Sequence, residues 1–287
     1  MKKGIIKKLM AITMVTSLSL GFMACGANES KESGSGEAVA EKTIVEEIKE
    51  SGKLVLGTSA DYPPYEFHAD IDGKDTIVGF DIEIAKEVAK DLGVELVLQD
   101  MKFDSLVAAL QSGTVDMVIS GMNPTPERAE AVDFSDIYYK AEHGILIRAE
   151  DKDKFKTKDD FNGKNVGAQK GSIQEDLANT QVEGSVVKGL GKVPDLIMEL
   201  ISGNSDAVVM EIPVADANAG ANDKLFVIQE PGFELDKTEQ GNSVAMPKDS
   251  PELVEIVNKT IERLVSEGKI EQYIVEANEL MEKTVAE

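Results

Sequence analysis

Residues 106–120 read LVAALQSGTVDMVIS, and ninety positions later residues 196–210 read LIMELISGNSDAVVM. Leu106 matches Leu196, Leu110 matches Leu200, Ser112-Gly113 matches Ser202-Gly203, Asp116 matches Asp206, and Val118 matches Val208. In each copy apolar residues at helical spacing run into a glycine, the residue that turns the chain past a helix end. A short β-branched run then follows. Each copy therefore reads as a helix, a glycine stop and a strand. Two copies this far apart are not a solenoid; they predict two similar α/β lobes. Ligands of open α/β sheets bind at the carboxyl ends of the strands, so the ends Ser120-Gly121 and Met210-Glu211 are expected to meet across one cleft.

Outward from the echo the same alternation continues. Strands are predicted at residues 54–57, 77–79, 94–98 and 165–168, and helices at 81–92, 104–111, 172–179 and 194–201. A last helix opens at Ser250-Pro251, a cap with proline at the first helical position, and runs to Gly268. In residues 81–92 Ile82, Ala85, Val88, Ala89 and Leu92 share one face, and Gly93 ends the helix. The rhythm predicts an α/β fold with largely parallel sheets covered by helices.

Composition bounds the function. The 287 residues suit two domains, and 42% hydrophobic residues suffice for real cores. With 30 Lys plus Arg against 53 Asp plus Glu the net charge is −23, and the pI near 4.5 excludes the basic face that nucleic acid needs. A single cysteine excludes an internal disulfide and a thiolate metal cluster. The two histidines, His68 and His143, leave little for a metal site and neither is assigned to catalysis. No metal or cofactor is expected.

The amino terminus reads as an address. Lys2, Lys3, Lys7 and Lys8 precede the uncharged residues 9–22, LMAITMVTSLSLGF. Fourteen residues are too few for a membrane span and fit the apolar region of a secretory signal. Phe22-Met23-Ala24-Cys25-Gly26 resembles the lipobox of bacterial lipoproteins, with Phe22 where leucine is usual. Residues 1–24 are expected to be a removed signal, taking four positive charges with them to leave −27. Cys25 is expected to carry the lipid, tethering the chain to the outer face of a bacterial membrane. Residues 25–50 are expected to be the anchor and a flexible Gly, Ser and Glu rich tether.

The run GFDIEIAKEVAKDL at residues 79–92 resembles the signature of the amino-acid family of solute-binding proteins of ABC importers, the bacterial extracellular family 3, in lipoprotein form. Around it, in the family's order and spacing, stand GTSADYPPYEF (57–67), MKFDSLVAALQSG (101–113), ISGMNPTPERAEAVDFS (119–135) and DAVVMEIPVA (206–215). The resemblance implies a two-lobed periplasmic-binding-protein-like (type II) fold, hinged by two crossover strands near residues 139–142 and 239–242. Residues 51–140 and 243–287 would form lobe 1, and 141–242 lobe 2. It also implies closure over a free amino acid, delivery to an importer permease, and a monomer.

A zwitterion asks for a donor fork and an acceptor. Arg128, in the first turn after Thr125-Pro126, offers a fork to the carboxylate, helped by backbone N–H groups near Ser172 and Ile173. Glu211, where the family usually has Asp, would take the ammonium, with the Gly121 carbonyl and Ser120 hydroxyl as co-acceptors. By the resemblance, Tyr62 and Phe103 sandwich the ligand's side chain, and Asn123 is its polar contact. Phe103 also suits a core position. Ser59 stands where relatives that bind cationic or amide tails often have Asp. Gln169 and Gln174 are candidate amide contacts, while Asp61, Glu66 and Asp104 read as solvated acids. The expected ligand is a polar amino acid, basic or amide. The rival is a same-fold enzyme, a cyclohexadienyl or arogenate-type dehydratase, for which no separate catalytic set is visible.

Overall fold

The computed structural model describes residues 42–286 except residue 238, so the expected signal, Cys25 and most of the expected tether lie outside the described residues. Helix α1 (Ile44–Ser51) occupies the end of that expected tether. Thr43 Oγ1 accepts from the Glu46 N–H at 3.2 Å while the Glu46 carboxylate accepts from the Thr43 N–H at 3.0 Å. This reciprocal cap, with Val45 and Ile48 buried three residues apart, is what makes the segment helical.

Strands β1 (Lys53–Thr58), β2 (Asp61–Tyr62), β3 (Glu66–Ile71) and β4 (Lys74–Val78) lead into helix α2 (Phe80–Leu92). Then come β5 (Glu95–Asp100), a 3-10 turn at Phe103–Ser105, α3 (Leu106–Gln111), β6 (Met117–Val118), α4 (Pro126–Ala131) and β7 (Val132–Phe134). The second half holds β8 (His143–Arg148), β9 (Asn165–Gln169), α5 (Ile173–Gln181), β10 (Val186–Leu190), α6 (Val193–Ile201), β11 (Ala207–Glu211), α7 (Ile212–Ala221) and β12 (Leu225–Ile228). The chain closes with β13 (Ala245–Pro247), α8 (Pro251–Ser266) and α9 (Lys269–Ala286).

Two five-stranded sheets result, one per lobe, ordered β5-β1-β6-β13-β7 and β10-β9-β11-β8-β12. Four strands of each run in one direction, largely parallel as expected, but β13 and β8 run antiparallel to both their neighbours. Both follow a crossover, and so enter their sheets from the opposite end. A third sheet, β2-β3-β4, was not anticipated apart from the strand expected at 77–79, which overlaps the end of β4. Its tight turn has Asp72 at φ 54° and Gly73 at φ 78°, the conformation that an Asp-Gly pair favours between hairpin strands.

The echo is structural. Leu106, Leu110, Leu196 and Leu200 are all buried. Asp116 accepts the Val55 N–H at 2.8 Å and Asp206 accepts the Asn165 N–H at 3.0 Å, so each acid ties its strand to the start of the neighbouring parallel strand. Helix α2 buries its expected face and also Phe80 and Ile84, because the sheet and helices α8 and α9 pack around it. Arg263 of α8 holds Glu87 at 2.9 Å and Asp91 at 2.7 Å on the helix's polar side.

The two crossover segments touch. Tyr139 and Asn242 form an antiparallel bridge, with the Asn242 N–H on the Tyr139 carbonyl at 2.8 Å. Gly241 sits at φ 137°, and a Cβ there would lie 2.5 Å from Ile137 Cγ2 and 2.7 Å from the Tyr139 carbonyl oxygen, so no other residue fits the bridge unstrained. Helix α9 extends the contact behind the hinge by packing on α7 of the other lobe.

Candidate functional site

The signature glycine sets the floor of the cleft. Gly79 has φ 129°, and a Cβ on it would fall 2.1 Å from the Tyr65 carbonyl oxygen. That approach lets the Phe80 and Asp81 N–H groups donate to the Pro64 and Tyr65 carbonyls at 3.2 and 3.0 Å. It thereby presses the start of α2 against the loop carrying Tyr62 and Tyr65. The rings of Tyr62, Tyr65, Phe80 and Tyr139 form a chain with successive centroids 4.5–5.5 Å apart, in tilted and edge-on contacts that fix the loop.

Around these rings lies a buried polar network. Ser120 Oγ donates to Glu66 Oε1 at 2.7 Å and accepts the Ser59 N–H at 3.0 Å. The Gly121 N–H donates to Asp81 Oδ2 at 2.8 Å, and the Tyr138 hydroxyl donates to the same oxygen at 3.0 Å. Asn242 Nδ2 donates to the Gly121 carbonyl at 2.7 Å and to Glu211 Oε1 at 3.0 Å, so the second crossover strand reads both lobes. Glu66 Oε2, Asp81 Oδ1 and Glu211 Oε2 are buried without a donor among the described residues. Burial pushes the Glu211 carboxyl up to about 7, partly offset by hydrogen bonds from the Tyr65 hydroxyl and the Asn242 amide.

Arg128 lies half-buried in the first turn of α4, which Thr125 caps. Its guanidinium lies 5.2 Å from the centre of the Phe103 ring. Nη1 donates to the Asn123 carbonyl at 2.7 Å and Nη2 reaches the other lobe, donating to the Gly171 carbonyl at 2.9 Å. Burial lowers its pKa to about 10, so it stays a cation at neutral pH. Two of its five N–H groups are used, leaving three for an anion. Ser172 caps α5 and Ile173 follows it, both buried, so the first N–H groups of that helix face lobe 1 beside Gly171.

The lobes meet across the cleft. The Glu211 N–H donates to the Tyr62 hydroxyl at 3.1 Å. Asp61 accepts from Gln169 Nε2 and from the Val193 N–H, each at 3.3 Å. Lys170 pairs with Asp104 at 3.0 Å.

The structure thus gathers Arg128, Phe103, Tyr62, Ser59, Ser120, Gly121, Asn123, Ser172, Ile173 and Glu211 at one interlobe region. It departs from several expected details. Both amide protons of Asn123 go to the Glu239 and Gly241 carbonyls, at 3.1 and 3.0 Å, so that side chain ties the hinge. The Ser120 hydroxyl proton is committed to Glu66, and the Gly121 carbonyl already accepts from Asn242. Phe103 both faces Arg128 and packs on Leu106 and Leu110. Glu66 is fully buried and Asp61 half-buried, against the expectation of solvated acids. Asp81 and Tyr138 were not singled out, and Asn242 was placed only as the end of a crossover; the short link from Gly79 to Asp81 is the one local signal for the first. Gln174 turns to His143, whose Nδ1 lies 3.3 Å from its amide, and burial pushes that imidazole down to about 4 and keeps it neutral. Among the described residues no group of acids, histidines or cysteines is placed to hold a metal, and no helix is long and apolar enough to cross a membrane.

Comparison with known proteins gives one answer. The model of the bacterial extracellular solute-binding proteins, family 3, matches residues 54–276. The arginine-binding extracellular protein ArtP of Bacillus subtilis is 38% identical over 271 residues, covering 93% of this chain and 96% of ArtP. A Streptococcus pneumoniae amino acid ABC transporter substrate-binding protein, solved bound to L-arginine, superposes with a TM-score of 0.80 at 36% identity, covering 83% of this chain and 98% of that one. An ancestral amino acid-binding protein described as a precursor of cyclohexadienyl dehydratase superposes at 0.71 with 33% identity, covering 85% and 100%. Even that neighbour is described as a binding protein, so the dehydratase alternative is not favoured.

Proposed function

The chain belongs to the bacterial extracellular solute-binding proteins, family 3, and from that membership we propose that it captures a free amino acid with a cationic side chain, arginine foremost. It is an extracytoplasmic amino-acid-binding protein of an ABC importer, not an enzyme. The observation that carries the choice of ligand is the fully buried pair of acids on lobe 1, Glu66 and Asp81, where the charged neighbours of Glu66 are other acids. Unpaired buried charge is costly, and a cation brought by the ligand removes that cost. The relatives described as arginine-binding or arginine-bound support the same reading.

In this assignment the ligand's ammonium takes Glu211, and its carboxylate takes Arg128 with the first N–H groups of α5. The tail lies between Tyr62 and Phe103, towards Glu66 and Asp61. The ligand bridges both lobes and so favours the closed state. Micromolar affinity needs about 8 kcal/mol, within reach of roughly a dozen heavy atoms at well under 1.5 kcal/mol each. Cys25 carries a lipid, the chain before α1 is the tether, and the protein acts as a monomer.

Thermal denaturation with a panel of amino acids tests the ligand. Arginine at about a hundred times its Kd adds about 2.7 kcal/mol, or roughly 5–10 °C in Tm. Larger stabilisation by a neutral or acidic amino acid would overturn the cationic reading. Loss of membrane retention in Cys25→Ala tests the anchor.

A further inference from the structure

Two of the buried acids lie side by side on lobe 1, Glu66 on β3 and Asp81 in the first turn of α2, with their carboxyl groups in hydrogen-bond contact. Their outer oxygens are occupied by fixed donors. Ser120 Oγ serves Glu66 Oε1, and the Gly121 N–H and Tyr138 hydroxyl serve Asp81 Oδ2. The remaining oxygens, Glu66 Oε2 and Asp81 Oδ1, are both buried, and no donor among the described residues reaches either. Two carboxylates in contact and out of water cannot both ionise; a proton between them supplies the missing donor.

We propose that Glu66 is held as a neutral acid donating to Asp81 in the empty cleft, and that a cationic side chain entering beside the pair drives this proton out, making the pair a selector for cationic ligands. The inference rests on the reading of the cleft as a site for a cationic amino acid. The donors say which acid is ionised. Asp81 has two of them and stands at the N-terminus of a thirteen-residue helix, where negative charge is favoured. Glu66 has one donor, and burial, then the neighbouring Asp81, hold its carboxyl well above the usual range.

The titratable groups facing the pair are Asp61, Glu211 and the hydroxyls of Tyr62 and Tyr138, all acids or neutral at physiological pH. A ligand cation therefore changes the sign of the local field. With a neutral tail the proton stays. With an anionic tail a second negative charge meets Asp81 and is rejected. The balance is simple: the Oε2–H bond of Glu66 breaks, its electron pair stays on the carboxylate, and the proton leaves to buffer.

Two measurements at about pH 8, above the range in which Glu211 holds its own proton, test this. Infrared spectra of the empty wild-type protein are expected to show the carbonyl stretch of a protonated carboxylic acid, missing in Glu66→Gln and lost when L-arginine saturates the wild type. Calorimetry in buffers of low and high ionisation enthalpy is expected to give release of about one proton per arginine in the wild type. Absence of the acid band from the empty protein overturns the shared proton. A band that survives saturation, with no buffer dependence of the heat, overturns the coupling. No heat and no stabilisation by arginine would instead sink the ligand reading, while the acid band still decides the shared proton.

Discussion

Glu211 ends β11 as a fully buried carboxyl, held by the Tyr65 hydroxyl and the Asn242 amide. Its pKa, raised from 4.5 to about 7, makes it a pH-dependent acceptor. For an acid raised on folding, the stabilising contribution is complete below the ordinary value and is lost as pH rises through the folded one. The empty protein is therefore expected to gain stability as pH falls from above 7 towards 4.5. A ligand ammonium needs the opposite, ionised form. Affinity is expected to be highest above pH 7 and to weaken up to about tenfold per unit below it, a slope that Glu211→Gln removes in a calorimetric pH series. Arg128 raises no such question, being a cation throughout. With Arg128 holding the ligand carboxylate as proposed, Arg128→Ala would strand that carboxylate and the Phe103 ring face together, at about 3 kcal/mol or more, so binding is expected to weaken at least about a hundredfold. A change within threefold, measured by titration, would remove Arg128 from the site.

At the scale of elements, the echoed acids do the same work in each lobe. Asp116 and Asp206 each hold the N–H that starts a neighbouring strand, and Asp206 also faces Arg148 at 3.5 Å. Replacing either with alanine is expected to cost about 1–2 kcal/mol in urea unfolding, with Asp206→Ala the larger. Such units were legible because their signals are local: Leu106, Leu110 and Gly113 announce α3 within eight residues. The α2 signature was equally plain from its apolar spacing. Burial of Glu66 was not, because it depends on Ser120 and Asp81, which lie 54 and 15 residues away in the chain. The role of Asn123 was missed for the same reason, since its partners belong to the returning crossover. Helix α7 also escaped notice; its apolar residues follow no single face, and Pro213 in its first turn reads equally well as a loop. Gly241, by contrast, was placed near the hinge, and its contacts now give the reason. Gly241→Ala is expected to destabilise the closed bridge by about 1–3 kcal/mol, read as a lower midpoint in urea.

For the whole molecule the decisive quantity is charge. The chain carries a formal −23 at neutral pH, and some of its acids are buried at the candidate site. Fields of this sign concentrate small cations near a cleft and raise their rate of encounter. Screening limits the reach to about 8 Å at physiological salt, so the steering acts at the mouth rather than at a distance. Contacts made after closure are shielded from salt by the two lobes themselves. The two rates of binding therefore respond differently to ionic strength. The association rate of arginine, followed by stopped-flow fluorescence of the tyrosines, is expected to fall several-fold between about 20 and 300 mM salt. Its dissociation rate is expected to hold nearly constant, because release waits on opening of the hinge and on the buried pairs at Arg128 and Glu211. Equal salt sensitivity of both rates would mean that the ligand's charges remain exposed to solvent in the complex. That result contradicts a site enclosed between the lobes, and with it the reason for burying three acids there.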